Sequence, residues 1–349
     1  MGVDRYVEEL AARVPGLTVP PEWRTMRGPR FLCRYWRYPR ALRRYRPAVV
    51  HVADHSYAHC LDSFPGVPSI VTLHDLYPLR VLAESRRTIR GAVRDRLLRR
   101  VLDRVRRATR WVAVSAFTAD EAAERLGIPR GLITVIHQGV NEAVFARPPE
   151  GTLRLRREGW SRALGAPAER RKFVVLHVGL CVPRKEIPRA LAALALLRAR
   201  GVDAALVQIG GRFDAAQRAR IAALGVERHV LQEPAVSEES LIAAYHAADA
   251  LVLPSSYEGF GLPALEAMAA GLPVVTTGAG GTREVVGDAA LLVPSGDPEG
   301  LAEALHRLAT DASRRADLAT RGAERARGLT WAANASRLVN VYAETAGTS

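Results

Sequence analysis

Two glutamates eight residues apart, Glu258 and Glu266, stand in the stretch 250–276, ALVLPSSYEGFGLPALEAMAAGLPVVT. Its pattern predicts a strand ending at Pro254, a loop SSYEGFG, and a helix starting near Leu262. Pro263 falls in the first helical turn, where its missing N–H costs nothing, and Gly271 stands beyond the helix end. Such a junction offers the backbone N–H groups of Gly259, Phe260 and Gly261 to a polar or anionic ligand. Glu266 sits among Leu262, Leu265 and Met268, where a carboxylate is costly unless it meets hydrogen-bond donors. A ligand with vicinal hydroxyls, such as a ribose, provides them. A capping or salt-bridge role is the alternative, and the spacing alone does not decide between them. A second constellation follows the strand expected at 173–178: Gly179, then Arg184 and Lys185 in HVGLCVPRKE. Lys185 and Lys172 are the only lysines beside 48 arginines, so Lys185 is unlike ordinary surface charge. In VTLHD (71–75), His74 and Asp75 end a strand, with Asp75 able to orient the imidazole. In VADHSYAHC, Asp54, His55 and His59 follow His51. Histidines four apart bind zinc when helical, but this stretch follows a strand and shows no third ligand. It reads as lining for a cleft, and no metal site is expected.

The elements that must position these groups alternate. Strands are expected at 48–53, 69–73, 111–114 and 133–136, then at 173–178, 204–209, 229–232, 250–253, 273–276 and 290–293. Helices are expected at 85–108, 117–126, 187–200, 214–224, 238–248, 262–270 and 299–309. Strands alternating with helices imply α/β architecture with parallel sheets covered on both faces. The two series are separated by a stretch rich in Pro, Gly and Arg, which reads as a linker with one helical turn. The expected organisation is an N-terminal domain over 1–150, a linker over 151–171, a C-terminal domain over 172–328, and a final helix over 329–349 that packs back on the first domain. A ligand cleft is expected at the carboxyl ends of the strands.

Composition excludes several classes. The chain has 349 residues, 48% hydrophobic and 25% charged, which is too apolar for disorder. It has no apolar run long enough to span a membrane and no apolar signal core at its start. Cys33, Cys60 and Cys181 are odd in number and unpaired in spacing, which fits a cytoplasmic protein rather than a disulfide framework. The net charge is +14, and it lies mostly in residues 1–150, which hold 26 Arg and 15 acids. The longest Arg-rich stretch, 80–110, has 12 Arg. Within it Ile89, Val93, Leu97, Val101 and Val105 recur every four residues as a buried stripe. Arg86, Arg87, Arg90, Arg94, Arg100, Arg104 and Arg107 cover the rest of that helix, 85–108, as a solvated face or a surface for anionic lipid or phosphate. Nucleic acid is disfavoured, because aromatic residues are not interleaved with this run.

The block E-G-F-G-L-P-x-L-E-A-M-A-x-G-x-P-V-V resembles the signature of glycosyltransferase family 4, with its E-x7-E pair. VTLHD, VAVSAFTADE (112–121), VIHQGVNEAVF (135–145), HVGLCVPRKE and GDAALLVPSGDPEGLAEAL (287–305) resemble other ordered blocks of the family. The resemblance covers nearly the whole chain. It implies a GT-B fold, two doubly wound Rossmann-like domains with the active site in the cleft between them, and a retaining, metal-independent transferase. It implies no cofactor beyond the co-substrate, a UDP- or GDP-hexose. By the same resemblance Glu266 binds the ribose, Glu258 a donor-sugar hydroxyl, and the backbone of Gly259, Phe260, Gly261 and Leu262 the donor. Gly179, Arg184 and Lys185 hold the diphosphate, whose charge grows as it leaves. His74 faces the donor sugar. Gly2, Asp54, His55 and Asp75 fall on the acceptor side. The acceptor would be a glycan or a lipid-linked hydroxyl compound, met in the cytoplasm or at the inner membrane face.

Two departures qualify the resemblance. Members commonly carry Arg after the glycine of the diphosphate loop, where this chain has Leu180. Members also open with a strand before a Gly-Gly loop and a helix like V-x-R-Y-V-x-E-L; here the sequence begins at that loop, which suggests a misassigned start or a truncation. Two other readings remain at this level. One is a nucleotide-sugar epimerase or hydrolase on the same fold. The other is a catalytically impaired binding homologue.

Overall fold

The computed structural model describes residues 2–25, 27–84, 96, 99–165 and 171–347. The chain divides into two units: Met1–Gly139 with Trp331–Ser349, and Val140–Thr330.

The first unit is built on four parallel strands in sequential order: β1 (Val50–Val52), β2 (Ser69–Leu73), β3 (Arg110–Ala113) and β4 (Ile133–Val135). β2 is buried at every position, as a parallel strand covered on both faces must be. Alternate side chains therefore serve two cores. Ile70 and Val112 pack with Tyr6 and Leu10 of the helix Gly2–Arg13 and with Trp331, Leu338 and Val341 of the helix Trp331–Ala346. Val71 and Ala113 face the other way, toward Val101, Val105, Ala119 and Leu126. β1 lies at the edge of the sheet. A cavity of about 1010 Å³, lined by Val50 and Val52 together with Val3, Val7 and Tyr342, opens beside it.

The second unit holds six parallel strands: β5 (Phe173–Val178), β6 (Ala204–Ile209), β7 (Val230–Glu233), β8 (Ala250–Leu253), β9 (Val274–Thr276) and β10 (Leu291–Leu292). Their order is β10-β9-β8-β5-β6-β7. Strand order reverses between β5 and β8, so the chain leaves these two neighbours toward opposite faces. Apolar helices cover the sheet, with Ile187, Leu191, Leu194 and Leu197 packed beside Leu301, Leu305 and Leu308.

The stretch read from sequence as a linker differs in the structure. A 14-residue helix, Glu150–Ala163, occupies it and belongs to the second unit. Its composition is polar, but Leu153 and Trp160, seven apart, are buried. Trp160 Nε1 and Arg156 both donate to Glu233, and Arg157 donates to Asp249 at 2.9 Å. These partners lie 73 to 92 residues away, so local composition could not announce the helix. Of the expected helix 85–108, residues 85–95, 97 and 98, with Arg86, Arg87, Arg90, Arg94, Ile89, Val93 and Leu97, lie outside the described residues. Residues 99–105 are helical, and Val101 and Val105 are buried.

Candidate active site

In open parallel sheets ligands bind outside the carboxyl ends of the strands where their order reverses. Here that point lies between β5 and β8. Gly179–Glu186 follows β5, and Pro254–Gly261 follows β8. The first loop depends on close backbone approach. Gly179 has φ +148, and a Cβ there would stand 3.2 Å from Lys185 Cε. Buried glutamines hold the loop from beneath. Gln208 Nε2 donates to the Gly179 carbonyl at 2.8 Å, and Gln217 Nε2 donates to that of Cys181 at 3.1 Å. Gln232 Nε2 donates to Gln208 Oε1 at 2.9 Å. The loop ends at Glu186, which has φ +51, the single positive φ at a non-glycine among the described residues. Backbone held in this region concentrates at functional sites.

The two loops meet through charge. Lys185 Nζ donates to Glu258 Oε1 at 2.5 Å, Ser255 Oγ donates to the same oxygen at 2.7 Å, and Arg184 Nη1 lies 3.6 Å from Oε2. Lys185 and Glu258 are both buried. Backbone joins them as well: the Ser256 N–H donates to the Arg184 carbonyl at 2.9 Å. Burying a carboxylate and an ammonium is tolerable because each supplies the other's partner. Gly261 precedes the helix Leu262–Ala269 with φ +102, and a Cβ there would meet Thr282 Oγ1 at 2.6 Å. Glu266 is half-buried on this helix, and Tyr245 Oη donates to its Oε2 at 2.8 Å. The structure thus brings Gly179, Arg184, Lys185, Glu258, Gly259, Phe260, Gly261, Leu262 and Glu266 onto one end of one sheet. Leu180, in the place where Arg was expected, is 61% exposed. Beneath Lys185 lies His177, fully buried with neither ring nitrogen hydrogen-bonded, and burial pushes it down to about 3, helped by the charge of Lys185.

Gly2, Asp54, His55, His74 and Asp75 lie in the first unit. His74 directly follows β2, but Asp75 does not orient it. His74 Nε2 lies 2.7 Å from the Ala53 carbonyl, and Gln138 Nε2 lies 2.9 Å from Nδ1. These partners require the proton on Nε2, with Nδ1 accepting from the amide. Burial holds His74 below its usual value, partly opposed by the bond to Ala53. Asp75 Oδ1 instead accepts the Tyr77 N–H at 3.2 Å. Tyr6, on the helix that begins at Gly2, presents its ring edge-on to His74 at 5.0 Å. Asp54 caps the 3₁₀ helix His55–Ser63 by accepting the Ser56 N–H at 2.8 Å. Burial raises the Asp54 carboxyl, but His55 and the Ser56 N–H more than offset this and leave it below its usual range. A 3₁₀ helix turns every three residues, so His55 and His59 do not share a face. His59 Nε2 meets the Arg34 carbonyl at 2.9 Å. Sequence reasoning missed Gln138, Tyr245, Ser255 and His177, because each matters only through a partner on another segment or through burial.

A chain with a parallel α/β sheet in each of two units, and a cation–carboxylate cluster at the switch point of the second, has the architecture of the GT-B glycosyltransferases. Solved structures share it. Anabaena HepE in complex with UDP-glucose matches with a TM-score of 0.72 at 20% identity, over 88% of this chain and 81% of that one. Sucrose-phosphate synthase from Thermosynechococcus elongatus matches with a TM-score of 0.73 at 24% identity, over 99% and 93%. Sequence places the chain more closely. Residues 2–144 match the profile of Glycosyltransferase Family 4, and residues 164–325 match that of Glycosyl transferases group 1. The chain belongs to this family. Among its relatives are proteins named D-inositol 3-phosphate glycosyltransferase. That of Thermobispora bispora is 34% identical over 80% of this chain and 65% of its own length. That of Salinispora tropica is 36% identical over 69% and 52%. The chain thus spans about half to two thirds of the length of these relatives.

Proposed function

We propose that the chain is a retaining glycosyltransferase that moves a hexose from a UDP- or GDP-sugar to a hydroxyl acceptor in glycan, glycolipid or cell-envelope synthesis. The observation that carries this reading is the convergence of Arg184, Lys185 and Glu258 beside the helix bearing Glu266, at the switch point of the sheet. Arg184 and Lys185 would take the diphosphate, Glu266 the ribose hydroxyls, and Glu258 with the backbone at Phe260 and Gly261 the sugar. Preorganised cations stabilise the charge that grows on the departing diphosphate, so they lower the barrier rather than merely bind. The acceptor hydroxyl would attack from the face the diphosphate leaves, and a phosphate oxygen would take its proton. That course needs no side-chain nucleophile and no resident metal. His74, held neutral with its proton on Nε2, would act by shaping the sugar's surroundings rather than by moving a proton.

The relatives' names and the Arg excess of residues 1–150 support an acceptor that bears phosphate, either a phosphorylated cyclitol or a lipid-linked compound. No described helix is long and apolar enough to cross a membrane. The test is a thermal-shift and calorimetric screen of UDP, GDP and their hexose conjugates, followed by acceptor-dependent release of the nucleoside diphosphate. Glu266→Ala should weaken UDP binding by about tenfold or more, the worth of one charged hydrogen bond to a ribose hydroxyl. Undiminished affinity in that variant would sink the assignment. Turnover of donor without any acceptor would favour a hydrolase or epimerase instead.

A further inference from the structure

The segment 27–46, RGPRFLCRYWRYPRALRRYR, holds eight arginines, five aromatics and no carboxylate. Acidic residues are absent from the whole span between Glu22 and Asp54. Residues 30–42 form one continuous helical stretch with a π-helical turn at Cys33–Arg37. Its inner side is anchored. Tyr35 packs at a tilt against His59 with ring centroids 4.7 Å apart, Arg34 lies 4.2 Å over Tyr57, and Leu42 is buried. Its outer side carries Phe31, Leu32 and Trp36, which are 56%, 50% and 62% exposed. They are three of the seven large hydrophobic residues left exposed among the described residues, and they lie within six positions of one another. Arg37 and Arg40 are exposed on the same stretch and Arg43 just beyond it; none of the three makes an ion pair among the described residues. Arg40 lies 3.8 Å over the Trp36 ring.

We propose that this helix is a docking surface for an anionic phospholipid bilayer. Phe31, Leu32 and Trp36 enter the boundary between headgroups and acyl chains, while Arg37, Arg40 and Arg43 pair with lipid phosphates. Exposed apolar groups clustered on one helix mark an interaction site. Aromatic rings with one wet edge settle at the headgroup level, and long basic side chains extend from the apolar boundary to the phosphates. Guanidinium groups suit phosphate better than point charges do, because their fork matches two oxygens. A single-stranded nucleic acid would also meet arginine and aromatics, but it needs open ring faces for base stacking. One face of Trp36 is already covered by Arg40, and Leu32 has no such face. The surface lies outside the donor-binding residues, so it stands or falls independently of the transfer reaction.

The test is co-sedimentation of the full chain with phosphatidylcholine vesicles, with and without about 30 mol% phosphatidylglycerol. The chain should bind only the anionic vesicles, and brominated lipid should quench its Trp emission. Phe31→Ser/Leu32→Ser/Trp36→Ser should lose that binding at an unchanged melting temperature. Arg37→Glu/Arg40→Glu/Arg43→Glu should weaken it more than about a hundredfold, at about fivefold per lost cation. Reversing three exposed arginines of the second unit, Arg220→Glu/Arg228→Glu/Arg314→Glu, changes net charge equally and should leave most of the binding intact. Equal loss in that control overturns the proposal, because net charge alone then explains attachment. So does binding retained without the three apolar side chains. Attachment to a single-stranded oligonucleotide with none to vesicles also overturns it, and assigns the surface to nucleic acid.

Discussion

Glu258→Gln keeps the shape of the side chain and removes its charge, and the structure gives two effects of opposite sign. Glu258 Oε1 accepts from Lys185 at 2.5 Å and from Ser255 at 2.7 Å, with Arg184 3.6 Å from Oε2. Hydrogen bonds to charged groups contribute about 1.5–3 kcal/mol, and neutral ones about half as much. Lys185 stays buried beside an amide oxygen, so stability should fall by about 1–2 kcal/mol, read from urea denaturation. Nucleotide affinity should move the other way. Glu258 engages the two cations that the proposed diphosphate site would use. Weakening that competitor by about 1.4 kcal/mol should tighten UDP about tenfold in titration calorimetry. UDP should therefore raise the melting temperature of Glu258→Gln more than that of the parent chain. Transfer should nevertheless fall more than about a hundredfold, because the proposed bond to the sugar hydroxyl would be weakened where geometry matters most. Tighter UDP with slower transfer is a signature that simple misfolding does not produce. An unchanged or weaker affinity for UDP in a folded variant would refute the idea that Glu258 competes for Lys185.

Gly261→Ala should cost about 2–4 kcal/mol, since φ is +102 and the new Cβ would press on Thr282 Oγ1; a melting temperature near that of the parent would show that the helix start can shift. Burial holds His51 and His177 down to about 3, the latter helped by the charge of Lys185, whereas an unfolded histidine titrates at ~6.5. Between these values the unfolded chain binds protons that the folded chain refuses. Their stabilisation is therefore complete above pH ~6.5, falls by up to about 1.4 kcal/mol per pH unit per histidine on acidification, and levels off near ~3. His177→Leu should make the loss between neutral and mildly acidic pH visibly shallower in denaturant titrations; an unaltered slope would place the effect elsewhere. Gln138→Leu removes the donor to His74 Nδ1, and kcat should fall about tenfold to a hundredfold with the UDP Kd unchanged.

The readable and the hidden parts of this molecule separate by contact distance along the chain. Strands β5, β6 and β8 were legible because buried parallel strands are short apolar runs, and the junction Ser255–Leu262 because glycines, a proline and a glutamate stand side by side. The helix Glu150–Ala163 was not, since its buried Leu153 and Trp160 are two residues in a basic, glycine-containing segment that derives its order from Glu233 and Asp249. The same limit applied to His74. Its neighbour Asp75 was the natural candidate to orient it, yet the residue that does so is Gln138, 64 positions away. Charge counts alone do not reveal which basic segment also exposes apolar groups. Counting drew attention to 80–110, which holds the most arginines. The segment 27–46 has fewer, but it lacks every counter-charge and presents apolar groups outward, and only burial distinguishes an anchored aromatic such as Tyr35 from an exposed one such as Trp36.

Leu180 shows how the structure changes the weight of a sequence departure. An arginine expected there would have been a third cation for the diphosphate, and its absence suggested an altered grip. The loop itself does not depend on that side chain. Gln208, Gln217 and Gln232 fix its backbone from below through the carbonyls of Gly179 and Cys181, and the Leu180 side chain points away from that network with most of its surface exposed. The positions of Arg184 and Lys185 are set separately, by the backbone bond from Ser256 and by Glu258. Geometry and charge are thus carried by different residues in this loop. In the proposed donor site, one cation fewer would lower the field at the phosphates without loosening the cradle. Under that assignment Leu180 would tune donor affinity rather than remove the site, whose remaining cations are Arg184 and Lys185, both set against Glu258.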